Sequence, residues 1–427
     1  MSAKSPAAIY GVPGTSLWKD MGSPVKGLGV HDGRLLVATG DGIYELDPDK
    51  SVNRSLSTTQ CTTRASIASM GTAAAVTGGG RIWLVTGLGI VDTTQPSDYP
   101  MVGHPIHPAD RVAVLDNYFI FNRTGTGQFF FVGPVVTEYQ QTFDALDFAT
   151  AEGAPDDTIS LLADHRELWL FGQETVEVWY NAGGSDPFLR IQGAFIEHGC
   201  ASPWVPAKED NTVFWLSDDG IVFSAVNYTP IRISTDEIEA ELADLSASWS
   251  QAVAWAYSDA GHVFYVLTVG NTTLVYDAAT QLWHRRSHHV LGRHAGTSYA
   301  RFDGKHLIGT DEGQILVLDP TLNADWDAPL VAEIETGPIS AGRTKVRMMP
   351  FEVEVEAGHG ASWLLNWSDD GGLTWSNRRP VTAGAVGNHG SRLRWHRLGA
   401  SRERRFRLMT SDDAPRAILS TAWVTLG

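Results

Sequence analysis

Residues 164–180 set a pattern that much of the chain repeats. Leu168, Trp169, Leu170 and Phe171 are apolar in succession, so a strand here needs cover on both faces. Gly172, Gln173 and Glu174 form a short polar turn. Val176, Val178 and Tyr180 then alternate with Thr175, Glu177 and Trp179, the period of a half-buried strand. An isolated hairpin is only marginally stable in water, so the pair predicts further sheets stacked against it.

The hairpin recurs. Asp32-Gly33-Arg34-Leu35-Leu36-Val37-Ala38-Thr39 runs on to Gly42-Ile43-Tyr44-Glu45-Leu46-Asp47-Pro48. Asp303-Gly304-Lys305-His306-Leu307-Ile308-Gly309-Thr310 runs on to Gly313-Gln314-Ile315-Leu316-Val317-Leu318-Asp319-Pro320. Looser copies start near Gly80, Asp116, Asp164, Asp210 and Ala260, giving steps of 48, 36, 48, 46, 50 and 43 residues. A repeat of about 40–50 residues with four strands per unit is the signature of propeller blades. Radial stacking also leaves only short sheet edges open. Residues 29–335 are therefore predicted to form an all-β propeller with inter-blade insertions, closing as six or seven blades. Residues 1–28, rich in Gly, Pro and Ser, are an arm or the strand that closes the ring.

One helix stands out. Ser234 and Glu237 have the spacing of a capping box, and Ile238, Leu242 and Leu245 fall on one helical face. After Pro320 the repeat stops, and residues 323–336 read as an irregular boundary. Strands at 347–356, 363–367, 393–398, 406–409 and 417–424 predict a small C-terminal β-sandwich or barrel over residues 340–427. It contains an Asp-box formed by Ser368, Asp370, Gly371, Gly372, Thr374 and Trp375. Asp370 can accept from turn amides, the glycines allow positive φ, and Trp375 packs under the turn. That motif predicts a hairpin, not chemistry.

Composition adds detail. The chain of 427 residues has 15 Trp and 43 Gly, as many strands broken by tight turns require. No apolar run reaches the roughly 18 residues of a membrane span, so no membrane insertion is predicted. Residues 1–17 lack an apolar core behind a basic start, so no secretory signal is read. Cys61, in a polar loop, and Cys200 are expected to be two reduced thiols, consistent with synthesis in a reducing cytosol. Net charge is −17, unevenly spread: residues 341–427 hold 13 Lys+Arg against 8 Asp+Glu, leaving −22 for residues 1–340. The large part should repel nucleic acid, while the tail domain favours an acidic partner. Arg402, Arg404, Arg405 and Arg407 are the candidate partner-docking residues. On a strand Arg405 and Arg407 share a face and Arg404 lies on the other, which favours a basic rim over one pocket.

Chemistry is sparse. His104 and His107 have no third ligand nearby, and His284, His288, His289 and His294 carry no zinc framework, so no metal is assigned. Asp144, Asp147, Glu152, Asp156 and Asp157 match no calcium loop and read as a solvated loop between blades. Gly125 and Gly127 make a turn in an aromatic hairpin, with no helix to form a phosphate cradle. There is no Gly-x-Ser-x-Gly elbow, phosphate loop or dinucleotide fingerprint.

The central third carries a resemblance. Asp144-Ala145-Leu146-Asp147-Phe148-Ala149, Ala151-Glu152-Gly153-Ala154-Pro155-Asp156, His165-Arg166-Glu167-Leu168-Trp169-Leu170-Phe171-Gly172 and Glu177-Val178-Trp179-Tyr180-Asn181 follow one another. Pro187-Phe188-Leu189-Arg190-Ile191, Gly199-Cys200-Ala201, Arg232-Ile233-Ser234-Thr235 and Gly261-His262-Val263-Phe264-Tyr265-Val266-Leu267 come after them in order. Over roughly residues 30–320 this resembles the packaged-DNA stabilisation protein of short-tailed bacteriophages, the tail hub or nozzle. The final domain, with Trp395-His396-Arg397-Leu398-Gly399-Ala400-Ser401-Arg402, resembles a module of other phage virion proteins.

The resemblance implies a structural virion protein with no catalytic residues and no cofactor. It implies a hexameric ring of identical copies below the portal and its adaptor (head-to-tail) protein. That ring closes the DNA channel after packaging, conducts genomic DNA as non-specific cargo during ejection, and docks tail fibres or spikes. Its place is the virion tail, after synthesis in the host cytoplasm. A conduit should not hold its cargo, so part of the acidic surplus is expected to face the channel, where it lowers non-specific DNA affinity. The competing reading is a propeller glycosidase or sialidase, or a glycan-binding module, acting on host surface sugars.

Overall fold

The computed structural model describes residues 8–57, 61–71, 73–87, 89–92, 107–133, 143, 146–151, 153–184, 186–342, 344–389, 392–420 and 422–426. Two compact units emerge, one of residues 17–287 with 291–317, the other holding residues 318–427.

Seven four-stranded antiparallel sheets follow one another through the first part of the chain. They span residues 25–57, 65–92, 112–150, 158–196, 207–232 and 253–285, blades 1 to 6. Blade 7 takes three strands from residues 296–319, and Gly14–Asp20 pairs outside Gln314–Asp319 as its fourth. The blade number left open by the repeat is thus seven among the described residues. In each of blades 1 to 6 the strands run inner to outer in chain order, so the first strand of every unit faces the axis.

Two-residue turns explain the repeat spacing. Both central residues have positive φ at 32–33, 116–117, 165–166, 210–211, 260–261 and 303–304, as the tight hairpin turn that matches strand twist requires. All six join the first and second strands of their blades. Blade 2 departs from the expected start at Gly80. Its first strand, Ala65–Ser69, ends ahead of Met70 and Gly71, and Gly79 and Gly80 join the second strand to the third. Ala73–Gly78 is rich in alanine and short of β-branched residues, so this strand is weakly marked and the start expected at Gly80 falls one hairpin late.

The expected half-exposed strand of blade 4 is also corrected. Val176, Glu177, Val178 and Trp179 are all buried, and Tyr180 is the exposed position. Blade faces are covered on both sides, so alternation fails. Buried Glu177 accepts hydrogen bonds from Trp179 Nε1 at 2.9 Å and Gly153 N at 2.5 Å, with Arg190 Nη1 3.8 Å away. Cys61, expected in a polar loop, is fully buried, and burial pushes its thiol up to about 12. Cys200 is likewise buried and pushed up to about 12, and both cysteines are free.

The helix forms at Asp236–Asp244, but Thr235 is its N-cap, accepting from Ile238 N at 3.4 Å. Ser234 Oγ instead receives Val222 N at 3.0 Å and donates to Glu239 at 2.7 Å. The Ser234–Glu237 capping box is therefore corrected: tertiary bonds claim the serine, and the cap moves one residue on. Ile238 and Leu242 anchor the helix in the core of blades 4 to 6.

The last part of the chain is a β-sandwich. One sheet orders Ala332–Glu335, Glu403–Thr410, Ser362–Ser368 and Arg379–Thr382, with Ile339–Ser340 also paired to Glu403–Thr410. The other places Val346–Glu354 between Arg392–Trp395 and Ala400–Ser401, with Trp423–Leu426 also paired to it. Phe351, Trp363, Leu365, Trp395 and Phe406 fill the space between them. The expected boundary at 323–336 holds a real strand at its end, and the strand expected at 417–424 begins only at Trp423.

Candidate functional site

The turn read as an Asp-box is tightly bonded. Asp370 Oδ1 accepts from Ser368 Oγ at 2.7 Å and Thr374 N at 2.9 Å, and Oδ2 accepts from Thr374 Oγ1 at 2.5 Å. These donors hold its carboxyl well below the usual carboxylate range. Gly371 and Gly372 have φ of 77° and 104°, and Trp375 Nε1 donates to Gly372 O at 3.0 Å.

The neighbouring arginines divide by strand face. Arg404 is buried, forms a two-pronged pair with Asp369 at 2.6 and 2.8 Å, and lies over Trp367 at 5.1 Å. On the other face Arg405 pairs with Glu335 at 3.3 Å, and Arg407 pairs with Glu333 and Glu335 at 3.2 Å. Arg407 also lies 3.7 Å over Trp375, tying the turn to its strand. Only Arg402 of the four is exposed. The strand period separated the two faces correctly; the acids that neutralise them come from strands distant in sequence.

The other titratable clusters disperse. His288 Nε2 meets Asp327 Oδ1 at 2.8 Å, His294 Nδ1 accepts from Gly296 N at 3.2 Å, and His289 is exposed. Burial, then the nearby Arg286, pushes His284 down to about 4. His104, Asp144 and Glu152 lie outside the described residues. Asp156 accepts from the amides of Gln173, Glu174 and Thr175, each at 2.9 Å, and so clamps the second turn of blade 4. No three His, Cys, Asp or Glu side chains converge on a metal-sized site among the described residues.

The inner strands line an open-ended cavity of about 440 Å³ on the propeller axis. Four cations line it: Lys26 of blade 1, Arg64 of blade 2, Arg111 of blade 3 and Lys208 of blade 5. Trp204, Trp255 and Tyr299 contribute rings, and no carboxylate among the described residues lines it. Arg64 reaches across to Thr297 O of blade 7 at 3.2 Å and has Asp311 at 3.8 Å. Arg111 lies 5.1 Å over the Trp204 ring and makes no ion pair among the described residues. Burial pushes its guanidinium down to about 10. Sequence reading missed this set. Its trace was a basic residue five or six positions ahead of a turn pair, at Arg111 before Asp116 and Lys26 before Asp32, in a chain with only seven lysines.

Two family models cover almost the whole chain in order. Residues 7–323 match the β-propeller of bacteriophage P22 Gp10, and residues 333–424 match its β-sandwich. The chain belongs to the bacteriophage P22 Gp10 family. That family comprises packaged-DNA stabilisation proteins, structural parts of the phage tail hub, and membership implies a structural virion protein. The all-β reading, propeller then sandwich, agrees with both Gp10 models. No curated protein matches the chain. Solved structures similar to it include the computationally designed Ika8 protein, 14% identical, with TM-score 0.45, covering 72% of this chain and 100% of that one. The extracellular domain of a hybrid two-component system, BT4673 of B. thetaiotaomicron, is 12% identical with TM-score 0.48, covering 91% of this chain and 48% of that one. BamB from Moraxella catarrhalis is 12% identical with TM-score 0.42, covering 69% and 82%.

Proposed function

We propose that this protein assembles as a ring of identical copies at the base of a short-tailed phage head, closes the DNA channel after packaging and conducts DNA outward on ejection. The observation that carries this is the consecutive match of both Gp10 domains over nearly the full chain. In the proposed ring the portal adaptor lies above and fibres or spikes dock at the side, with the sandwich as the docking module and exposed Arg402 as one of its cations without an ion pair among the described residues. The acidic surplus of residues 1–340 fits a conduit that must release its cargo, because phosphate contacts made by basic groups would retain it.

Negative-stain images of the purified protein and of virions test the reading. A closed ring and a matching density at the tail base are expected; a monomer with no virion density would end it. Deletion of residues 341–427, or Arg402→Glu, should release fibres while rings still form. Normal fibre attachment in both would remove the sandwich from that role. Fluorogenic glycosides incubated with the protein should stay uncleaved, and brisk release would restore the glycosidase reading.

A further inference from the structure

The axial cavity of the propeller contains a concentration of positive charge for which neither ring assembly nor docking has a use. Lys26 is the second residue of its inner strand, and Arg64 and Arg111 immediately precede theirs. All three sit at the starts of inner strands in blades 1 to 3, which places them toward the same end of the cavity wall. Lys208 lies at the other end and is already held by the carbonyl of Ala163, with Asp164 at 3.7 Å. At the first end neutralisation is incomplete. Arg64 has Asp311 at 3.8 Å, and that carboxylate also binds Arg293 at 3.0 Å. Lys26 and Arg111 have no ion pair among the described residues. The cavity wall also includes Arg111 Nε, Trp255 Nε1 and Ser298 Oγ, buried without a hydrogen-bond partner among the described residues. A buried donor left unpaired costs about 1–3 kcal/mol, and more if charged. An acidic chain that collects cations and spare donors around one cavity is short of an acceptor there.

We propose that the axial cavity binds a small oxyanion of the phosphate class, held between Lys26, Arg64 and Arg111. Guanidinium groups present paired donors that match phosphate oxygens, and a half-buried lysine adds a point charge. The cavity volume of about 440 Å³ fits a small molecule, within the roughly 300–1,000 Å³ usual for ligand sites. The bound anion would tie blades 1, 2 and 3 together at the axis.

The test is calorimetric titration of the full-length protein with pyrophosphate at low salt, alongside its tryptophan fluorescence, since Trp204 and Trp255 line the wall. Saturable binding that weakens with added salt is expected. Arg111→Gln should weaken it by about ten- to a hundredfold, the loss of one charge-assisted contact. Lys26→Gln should weaken it as well, and it carries the test if Arg111→Gln fails to fold. Arg402→Gln, in the sandwich, should leave it unchanged. ATP distinguishes the source: tighter binding than pyrophosphate assigns the site to a nucleotide, weaker binding to the inorganic ion. No saturable binding, equal affinity in the Arg111 and Lys26 variants, or an equal loss in Arg402→Gln would overturn the proposal.

Discussion

Glu45 and His284 show how burial decides the behaviour of single side chains. Burial alone would raise the Glu45 carboxyl, but Arg54, bonded to both its oxygens at 2.6 and 2.8 Å, outweighs it and the group ends below its ordinary range. Its contribution is therefore intact above the unfolded carboxylate range and fades as pH falls through the folded value. Replacing Glu45 with Gln should cost about 1–3 kcal/mol in urea unfolding at pH 7, since Arg54 is left partly shielded without its counter-ion. For His284 the unfolded chain takes up a proton near 6.5 and the folded chain only at about 4. Between those values the unfolded state binds more protons, so stability should fall as pH drops from 6.5 to 4. The expected loss is about 1–3 kcal/mol after allowing for partial exposure. His284→Asn should flatten that part of the stability–pH curve; an unchanged slope would contradict the assignment.

Hairpin turns decide where the blades begin. His165 and Arg166 occupy positive φ of 48° and 63°, positions suited to Asn and Gly. Their side chains compensate: His165 bonds Asp164 and Asn211 at 2.7 Å, and Arg166 reaches Asp116 at 3.1 Å. Left-handed backbone costs an ordinary residue roughly 1–2 kcal/mol, while exposed pairs return about 0–1. The double variant His165→Asn with Arg166→Gly should therefore stabilise the protein by about 1 kcal/mol. A lower melting temperature would show that the links to blades 3 and 5 outweigh backbone strain. The helix gives a second check. Thr235→Ala should cost about 1 kcal/mol by removing the cap, whereas exposed Glu237→Ala should be near neutral. The reverse order would reinstate the Ser234–Glu237 capping box.

Closure of the ring depends on Gly14–Asp20. This strand covers the outer edge of blade 7 and carries Trp18, buried edge-on against Phe302 at 6.1 Å. Without it the edge of Gln314–Asp319 is exposed, and open edges invite pairing with other chains. Trp18→Ala should cost about 3–5 kcal/mol. Deletion of residues 8–20 should broaden the thermal transition and promote aggregation in light scattering. A sharp, unshifted transition would mean that the propeller closes by other contacts.

Some of this architecture is written in local residue order. Consecutive apolar residues, the turn pairs at Asp32-Gly33 and Asp303-Gly304, and the Ser368–Trp375 motif each dictate backbone shape within a few residues, so blades and sandwich were legible before folding. Ala73–Gly78 marks the limit, because alanine is strand only when its neighbours make it so. Burial of Glu177, the shift of the helix cap to Thr235 and the pairing of Arg404 with Asp369 were decided by partners far along the chain. The axial set is the extreme case. Lys26, Arg64 and Arg111 are scattered single charges in the sequence, and only closure of the sheets around one axis sets them on the wall of one cavity.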